Sequence, residues 1–291
     1  MVLRPVEAAL SGLSAVFSSF MTNTWIVASV VAVVVGAVGF FTVLRGSAFA
    51  AHAIPQGAFA GAAGAVLLGT STLLGLGVFA VAGALGIGWL GRRARRDVAT
   101  ALGFVLMLAV GALLLSMSQG YEPEIDALLF GQVLGVGSYE VLPTAALGLA
   151  SVLALILLYR PLVLASVLPD LAGSRGVSAL WTEIAFLVVV GLATAMTVPV
   201  VGASLMFSLM IAPAGAARSL TDRPGRALLC SSAISLAVVW ASIAGSYASN
   251  WPVGFFVGTI GVVVYGLSRA AAARRHRGLQ PGAPQLAERS A

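Results

Sequence analysis

The sequence predicts an all-α membrane protein with about nine transmembrane helices, its N-terminus outside and its C-terminus in the cytoplasm. Of its 291 residues, 59% are hydrophobic and only 9% are charged, with a mean hydropathy of +1.03. A soluble domain carries roughly 25% charged residues, so this chain cannot cover a water-facing surface. Apolar runs recur along it, and each is long enough, at about 18 residues or more, to cross a bilayer core about 30 Å thick. Because lipid offers the backbone no hydrogen-bond partners, these runs are expected to be helices.

Nine spans can be drawn in order along the chain, and together they define a transmembrane domain over residues 24–268. Residues 1–23 are too polar to span and are predicted to form an amphipathic segment. Residues 269–291 are rich in Arg, Ala, Gly and Pro and are predicted to be a basic, disordered cytoplasmic tail. The spans cover about residues 24–44, 53–70, 73–91, 98–117, 139–159, 179–198, 200–217, 227–248 and 252–268.

The arginines predict the orientation. All sixteen basic residues are arginine, and with nine spans every one except Arg4 falls on the side of the C-terminus. The positive-inside rule assigns that side to the cytoplasm. There the arginines face anionic membrane lipid, so the high pI indicates no nucleic-acid partner. Without a lysine the chain cannot build a P-loop, whose lysine contacts the phosphates, and no enzymatic activity is expected.

The longest outer connection carries only acidic charge. It contains Glu122, Glu124 and Asp126 and no basic residue. One interpretation is a solvated loop. The other is an acidic entrance that raises the local concentration of cations.

The long inner connection covers residues 159–178. Pro161, Pro169 and Gly176 interrupt it, yet it is too apolar to be a free linker. The pattern predicts a short helix that lies across the cytoplasmic face and has an apolar stripe to bury. That stripe needs either a partner protein or the membrane interface.

Two ionisable side chains near the cytoplasmic ends of spans are candidates for chemistry. His52 is predicted to begin the second span, with Pro55 in the first turn, where its missing N–H costs nothing. It either satisfies the helix end or binds a metal ion, for which imidazole is a common ligand. Glu183 lies just inside the sixth span. It either faces a partner or a water-filled pathway, since exposure to lipid is expensive, or it reaches the inner headgroups.

Four segments resemble a known family, the membrane permeases of bacterial ABC importers for zinc, manganese and related divalent metals. In chain order they are the stretch around His52, "LLFGQVLGV" at 128–136, "PDLAGSRGV" at 169–177 and "VPVVGASLMFSLMIAPAGAARSL" at 198–220. Ala48 and Gln132 stand where the family carries aspartates. The matching positions include Gly57, Gly131, Gly202 and Pro213.

The resemblance implies a multi-pass permease of the bacterial inner membrane that imports a divalent metal, with zinc favoured over manganese and iron third. It implies two copies of a separate ATPase on the inner face, which use ATP, and an extracytoplasmic metal-binding protein on the outer face. The permease itself is expected to be a homodimer, embedded in lipid and without a resident cofactor.

The resemblance also implies roles for individual residues. Asp170, Leu171, Ala172 and Gly176 are expected to couple the permease to the ATPase. His52 is expected to bind the metal transiently. The candidates for the translocation pathway or its gate are His52, Glu183, Ser204 and Met206.

Two other functions stay open. A stand-alone secondary transporter usually shows an inverted repeat and an intramembrane ionisable network, and neither is found in this sequence. A membrane scaffold or receptor without transport would not need the four shared segments.

Overall fold

A computed structural model of the protein describes residues 22–92, 95–117 and 137–278. These residues form ten α-helices, nine long and one short, and no strand occurs among them. The predicted all-α class is therefore confirmed. In order, the helices are α1 (Thr22–Arg45), α2 (Ala48–Leu67), α3 (Thr72–Leu90), α4 (Arg96–Met117), α5 (Ser138–Val167), α6 (Pro169–Ser174), α7 (Ala179–Val201), α8 (Ala203–Leu220), α9 (Pro224–Ser249) and α10 (Val253–Gly278).

Eight of these helices are long and apolar enough to cross a membrane. The remaining long helix is α2, which corresponds to the second predicted span. His52, Pro55 and Gln56 lower its hydropathy relative to the other eight. The predicted count of nine spans therefore depends on α2 crossing with them.

Two proline positions correct the predicted helix boundaries. Helix α2 begins at Ala48, so Pro55 lies in its interior and not in its first turn. Helix α5 runs through Pro161 to Val167, so the predicted span end near residue 159 is too early and the inner connection shortens to residues 168–178. In a membrane, neighbouring helices can compensate the backbone groups that a proline leaves unpaired, and so these prolines do not end the helices.

The predicted disordered tail also needs correction. Helix α10 continues to Gly278, so residues 269–278 are helical. Alanine and arginine are among the best helix formers, which explains how the helix continues past its apolar part. Residues 279–291 lie outside the described residues, as do residues 1–21, where most of the predicted amphipathic segment falls.

Packing contacts define the relative directions of the long helices. From Gly77 to Gly88, α3 meets residues of α7 in descending order, from Ala195 to Ile184, so these helices are antiparallel. The same comparison at the other helix pairs divides the molecule into two sets. Helices α1, α3, α5, α8 and α10 run one way, and α2, α4, α7 and α9 run the other.

This alternation gathers the arginines of the described residues at one end of the helix bundle, called here the arginine end. The exposed side chains of Trp89 and Trp181 lie at that end, and those of Trp240 and Trp251 lie toward the other. Tryptophan at both ends is typical of the two membrane interfaces. The arginines concerned are Arg45, Arg92, Arg95, Arg96, Arg160, Arg175, Arg218, Arg223, Arg226, Arg269, Arg274, Arg275 and Arg277.

Helix α1 is central and packs against α5, α7, α8 and α9. Its closest contacts are made at glycines. A Cβ atom at Gly39 would overlap the Met210 carbonyl oxygen of α8, and one at Gly36 would overlap Ser231 and Ser232 of α9. Small residues let membrane helices approach this closely. Such packing drives helix association in a bilayer, where there is no hydrophobic driving force between helices.

Candidate translocation and coupling sites

His52 lies in the second turn of α2 and is half-buried. Its ring packs edge-on against Phe207 of α8, with ring centroids 4.8 Å apart, and Phe104 of α4 lies 6.2 Å away. Its Nδ1 atom is buried and has no hydrogen-bond partner among the described residues. One turn later, Gln56 donates a hydrogen bond from Nε2 to Ser204 Oγ over 3.2 Å. These five residues, His52, Gln56, Phe104, Ser204 and Phe207, are called the His52 group.

The His52 group offers neutral nitrogen and oxygen ligands between aromatic walls. Imidazole, a carboxamide oxygen and a hydroxyl can each contact a divalent cation. Pro55 has no N–H, so the carbonyl of Ala51 also loses its helical donor. Among the described residues, no group of three or more His, Cys, Asp or Glu side chains could hold a metal ion. The arrangement therefore suits passing contact with a cation better than tight storage.

The structure brings together two of the four predicted pathway residues. His52 and Ser204 both belong to the His52 group, whereas Met206 is fully buried in the core. Gln56 could have been found from the sequence, because residues four apart share one face of a helix. Phe104 and Phe207 lie on other helices and carry no comparable local signal.

Glu183 is engaged in a buried ion pair at the arginine end. Arg45 donates from one guanidinium nitrogen to Glu183 Oε2 over 2.5 Å, and the two side chains are 6% and 12% exposed. Ser47 donates to the other carboxylate oxygen over 3.4 Å, and Arg45 also donates to Ser166 over 3.4 Å. The Arg45 guanidinium lies 5.6 Å from the centroid of the Phe186 ring. The pair thus ties α1, α5 and α7 together.

Glu183 also borders a cavity of about 250 Å³ between α2, α3, α4 and α7. Arg92 and Thr100 line the same cavity. Of the interpretations of Glu183 offered by the sequence, the one with a partner agrees with this geometry, and the partner is Arg45.

The short helix α6 is the separate helix within the inner connection. Asp170 and Leu171 are exposed on it and Ala172 is buried. Gly176 has φ +74°, a conformation that favours glycine. Val177 N–H donates to the Ala172 carbonyl over 2.9 Å and Gly176 N–H to the Gly173 carbonyl over 3.1 Å. This pair of bonds is the Schellman motif, which ends a helix sharply.

A groove of about 380 Å³ lies beside α6 at the arginine end. Val167, Leu168 and Leu171 are about half exposed near it, whereas Leu162, at the start of the predicted apolar stripe, is fully buried in the core. Only the later part of the stripe is therefore uncovered in the single chain. Small side chains leave room in the groove for a larger one from a partner. Its lining is Ala165, Pro169, Ala172, Gly173, Gly176, Val177, Ser178 and Ala179.

The other family-matched positions have structural roles. Gly57 packs against Met107 of α4, Gly202 has φ +88° between α7 and α8, and Pro213 is buried inside α8. The remaining predicted residues, Glu122, Glu124, Asp126, Gly131 and Gln132, lie outside the described residues.

A sequence model of the ABC 3 transport family (ABC-3) matches residues 18–271. The chain belongs to this family. This confirms the resemblance carried by the four segments. The ABC-3 chain is a permease subunit of an ABC importer for metal. It is a multi-pass protein of the bacterial inner membrane. Family membership sets aside the alternatives of a stand-alone secondary transporter and of a scaffold or receptor.

Relatives of this ABC-3 permease are named for manganese and iron. It is 30% identical over 233 residues to the manganese transport system membrane protein MntC of Halalkalibacterium halodurans, covering 79% of each chain. It is 30% identical over 240 residues to the manganese import system permease protein ScaB of Streptococcus parasanguinis, covering 81% of this chain and 84% of ScaB. A probable iron transport system membrane protein of Haemophilus influenzae is 27% identical over 233 residues, covering 79% and 82%.

Two solved structures share the fold of the ABC-3 permease. PsaBC from Streptococcus pneumoniae in complex with Fab has a TM-score of 0.78 at 24% identity, covering 90% of this chain and 95% of the other. An inward-facing conformation of a putative metal-chelate type ABC transporter has a TM-score of 0.65 at 18% identity, covering 86% and 85%.

Proposed function

We propose that this permease imports manganese and that the ion passes the His52 group on its way. MntC and ScaB carry manganese in their names, which favours manganese over zinc, the metal that the family resemblance alone had favoured. The observation that carries the proposal is the buried Nδ1 of His52, which has no hydrogen-bond partner within residues 22–92, 95–117 and 137–278. A buried polar atom without a hydrogen bond is costly. Because residues four apart share one face of a helix, this atom and Gln56 together support a site whose ligand comes and goes.

The weakness of this site is part of the proposed mechanism. None of the residues in the His52 group is a carboxylate, and Ala48 replaces one of the family's acids. With neutral ligands only, the ion is held by a few dipoles and not by charge. A pathway needs this balance, because an ion that binds too tightly is not released.

The energy comes from a partner in this proposal. Two copies of an ATPase seat on the groove beside α6, contacting Asp170, Leu171, Ala172 and Gly176. A second copy of the permease completes the pathway, and an extracytoplasmic metal-binding protein delivers the ion outside. Glu122, Glu124 and Asp126 form the acidic entrance there. ATP binding then shifts the permease between two states that open to opposite faces.

The test of the transported metal is uptake of radioactive manganese, zinc and iron by cells that lack the permease gene and carry a plasmid copy. The wild-type copy should restore manganese uptake. His52→Ala should lower it by about tenfold or more, the usual effect of losing a group that supports a metal site. The matched control is His276→Ala, which changes the other histidine of the chain and should transport normally.

Each outcome of the uptake experiment has a defined meaning. Normal manganese uptake by His52→Ala, at equal membrane abundance, would remove His52 from the pathway. Restoration of zinc uptake alone would overturn the manganese preference. If deletion of the gene reduced the uptake of none of the three metals, the import proposal itself would be refuted.

The coupling proposal is tested by filling the groove beside α6. A Cβ atom at Gly173 meets nothing within 4 Å, so Gly173→Trp should leave the permease fold intact. We expect it to block co-purification of the ATPase and to abolish uptake. Gly266→Trp is the matched control, because Gly266 is exposed on α10 and also has open space around it. Unchanged co-purification with Gly173→Trp would contradict the proposed seat.

A further inference from the structure

A lipid-facing groove lies between α5 and α9 near the arginine end. The two helices each pack extensively on α1 but have little contact with each other. The space left between them is about 410 Å³. Its floor is Ala37 of α1, and its walls include Val152, Leu155 and Ile156 of α5 and Leu228 and Leu229 of α9.

The end of this groove nearest the arginine end is polar. Tyr159 and Arg160 of α5 line it together with Gly225 in the first turn of α9. Arg160 is exposed and has no carboxylate within ion-pair distance among the described residues. The Arg160 guanidinium thus lies at the polar end of the groove, and no carboxylate in the described part of the chain neutralises its charge.

The start of α9 adds to the positive potential there. The stretch 222–226 contributes Arg223 and Arg226 against a single acid, Asp222. The α9 helix is 26 residues long, and the unpaired N–H groups of its first turn also favour an anion. Charge and shape therefore point to a ligand that is anionic at one end and apolar along its length.

The length of the groove suits one membrane leaflet. From Val152 to Arg160 the α5 backbone rises by about 12 Å, at about 1.5 Å per residue. One leaflet contributes half of a hydrocarbon core about 30 Å thick. A chain that starts at Arg160 and follows α5 to Val152 therefore runs from the headgroup level toward the middle of the bilayer.

We propose that this groove binds one anionic phospholipid of the cytoplasmic leaflet, with its phosphate at Arg160 and an acyl chain along the apolar walls. Guanidinium pairs with phosphate through two parallel hydrogen bonds. A zwitterionic lipid carries its own cation beside the phosphate and gains less from Arg160. The groove is formed by α1, α5 and α9, whereas the His52 group lies on α2, α4 and α8, so the proposal does not depend on the metal.

The test compares retention of phosphatidylglycerol and phosphatidylcholine by the purified full-length permease, measured by native mass spectrometry. The wild type should retain phosphatidylglycerol over phosphatidylcholine by about fivefold, the ratio that one basic residue near an anionic membrane surface contributes. Arg160→Gln should abolish this preference. Arg274→Gln, which removes an exposed arginine of α10 outside the groove, should preserve it.

A second pair of variants tests the apolar part. Leu229→Trp should fill the groove and lower retention of both lipids, whereas Leu267→Trp should not, although both leucines are similarly exposed, at 68% and 66%. Equal retention of the two lipids by the wild type would overturn the proposal. Full retention of phosphatidylglycerol by Arg160→Gln would also overturn it. So would displacement of phosphatidylglycerol from the wild type by inorganic phosphate alone.

A second copy of the permease is the competing occupant of the groove. Leu229→Cys in a Cys230→Ser background should remain uncrosslinked in native membranes under oxidising conditions if lipid fills the groove. Formation of a disulfide-linked permease dimer would show that the groove is a protein interface, and the lipid proposal would fall.

Discussion

Arg45 and Glu183 illustrate how a single pair of residues can hold several helices. Both side chains are mostly buried, and the pair lies where α1, α5 and α7 converge. Removing one member of such a pair leaves an uncompensated charge, which costs about 3–5 kcal/mol. Replacing both with apolar residues of similar size is often close to neutral.

We therefore expect Glu183→Ala to lower the thermal stability of the purified permease more than the substitution of an exposed acidic residue would. The double variant Arg45→Met, Glu183→Leu should recover most of the loss. Stability is measured as the temperature at which half of the protein remains monodisperse after heating. Asp170→Asn, at an exposed carboxylate, is the control and should match the wild type. A double variant less stable than either single variant would show that the charges themselves are required.

Gln56 provides a second residue-level prediction. If its side-chain oxygen contacts the ion, Gln56→Leu should reduce manganese uptake by about tenfold without loss of the folded protein. Ser204→Ala removes one hydroxyl of the His52 group but leaves the Gln56 side-chain oxygen in place, so it should have a smaller effect on uptake. Equal losses for the two variants would instead indicate that the Gln56–Ser204 bond matters only for packing α2 against α8.

At the scale of the helices, glycines decide which pairs can touch. Gly39→Val should prevent close packing of α1 on α8, because the added Cβ meets a backbone carbonyl that cannot move aside. Overpacking of this kind costs about 1–3 kcal/mol where side chains can adjust, and more is expected here. The control is Gly86→Ala on α3, which meets nothing within 4 Å. The yield of folded permease after membrane extraction distinguishes them, and normal yield for Gly39→Val would refute this view of the contact.

The long helices could be predicted because their apolar runs are long enough to cross a bilayer, where the backbone has to be helical. The errors arose where local rules meet a membrane. Pro161 predicted a helix end, but α5 continues through it to Val167, and polarity predicted a tail where α10 stays helical. The prediction of a short helix in the inner connection holds for six residues, Pro169–Ser174. The earlier part of that connection belongs to α5.

The candidate site was less accessible to sequence reasoning. His52 stood out because histidine is rare in this chain, and Ser204 because it lies in a family-matched segment. The partner of Glu183 could not be found, since Arg45 is 138 residues away along the chain. The aromatic walls around His52 come from α4 and α8, and only the tertiary packing brings them to α2.

For the whole molecule, the alternating helix directions make a testable statement about orientation. In a Cys230→Ser background, Arg92→Cys and Ser174→Cys at the arginine end should react with a membrane-impermeant thiol reagent only from the cytoplasm. Ser71→Cys and Ser249→Cys, which are exposed at the other end, should react only from outside. Labelling of the Arg92 and Ser174 positions from opposite faces would overturn the predicted topology and remove the ATPase seat.

The glycine seams of α1 also limit how this permease can change shape. The contacts of Gly39 with α8 and of Gly36 with α9 are too close for the helices to shift sideways. Helices α1, α8 and α9 are therefore expected to move as one rigid body. Helix α2 shares a similar glycine contact with α3, at Gly61 and Gly75, but it meets α8 through side chains such as Phe207. Opening is then expected to be easiest between α2 and α8, so the contact that moves would also be the one that the ion passes.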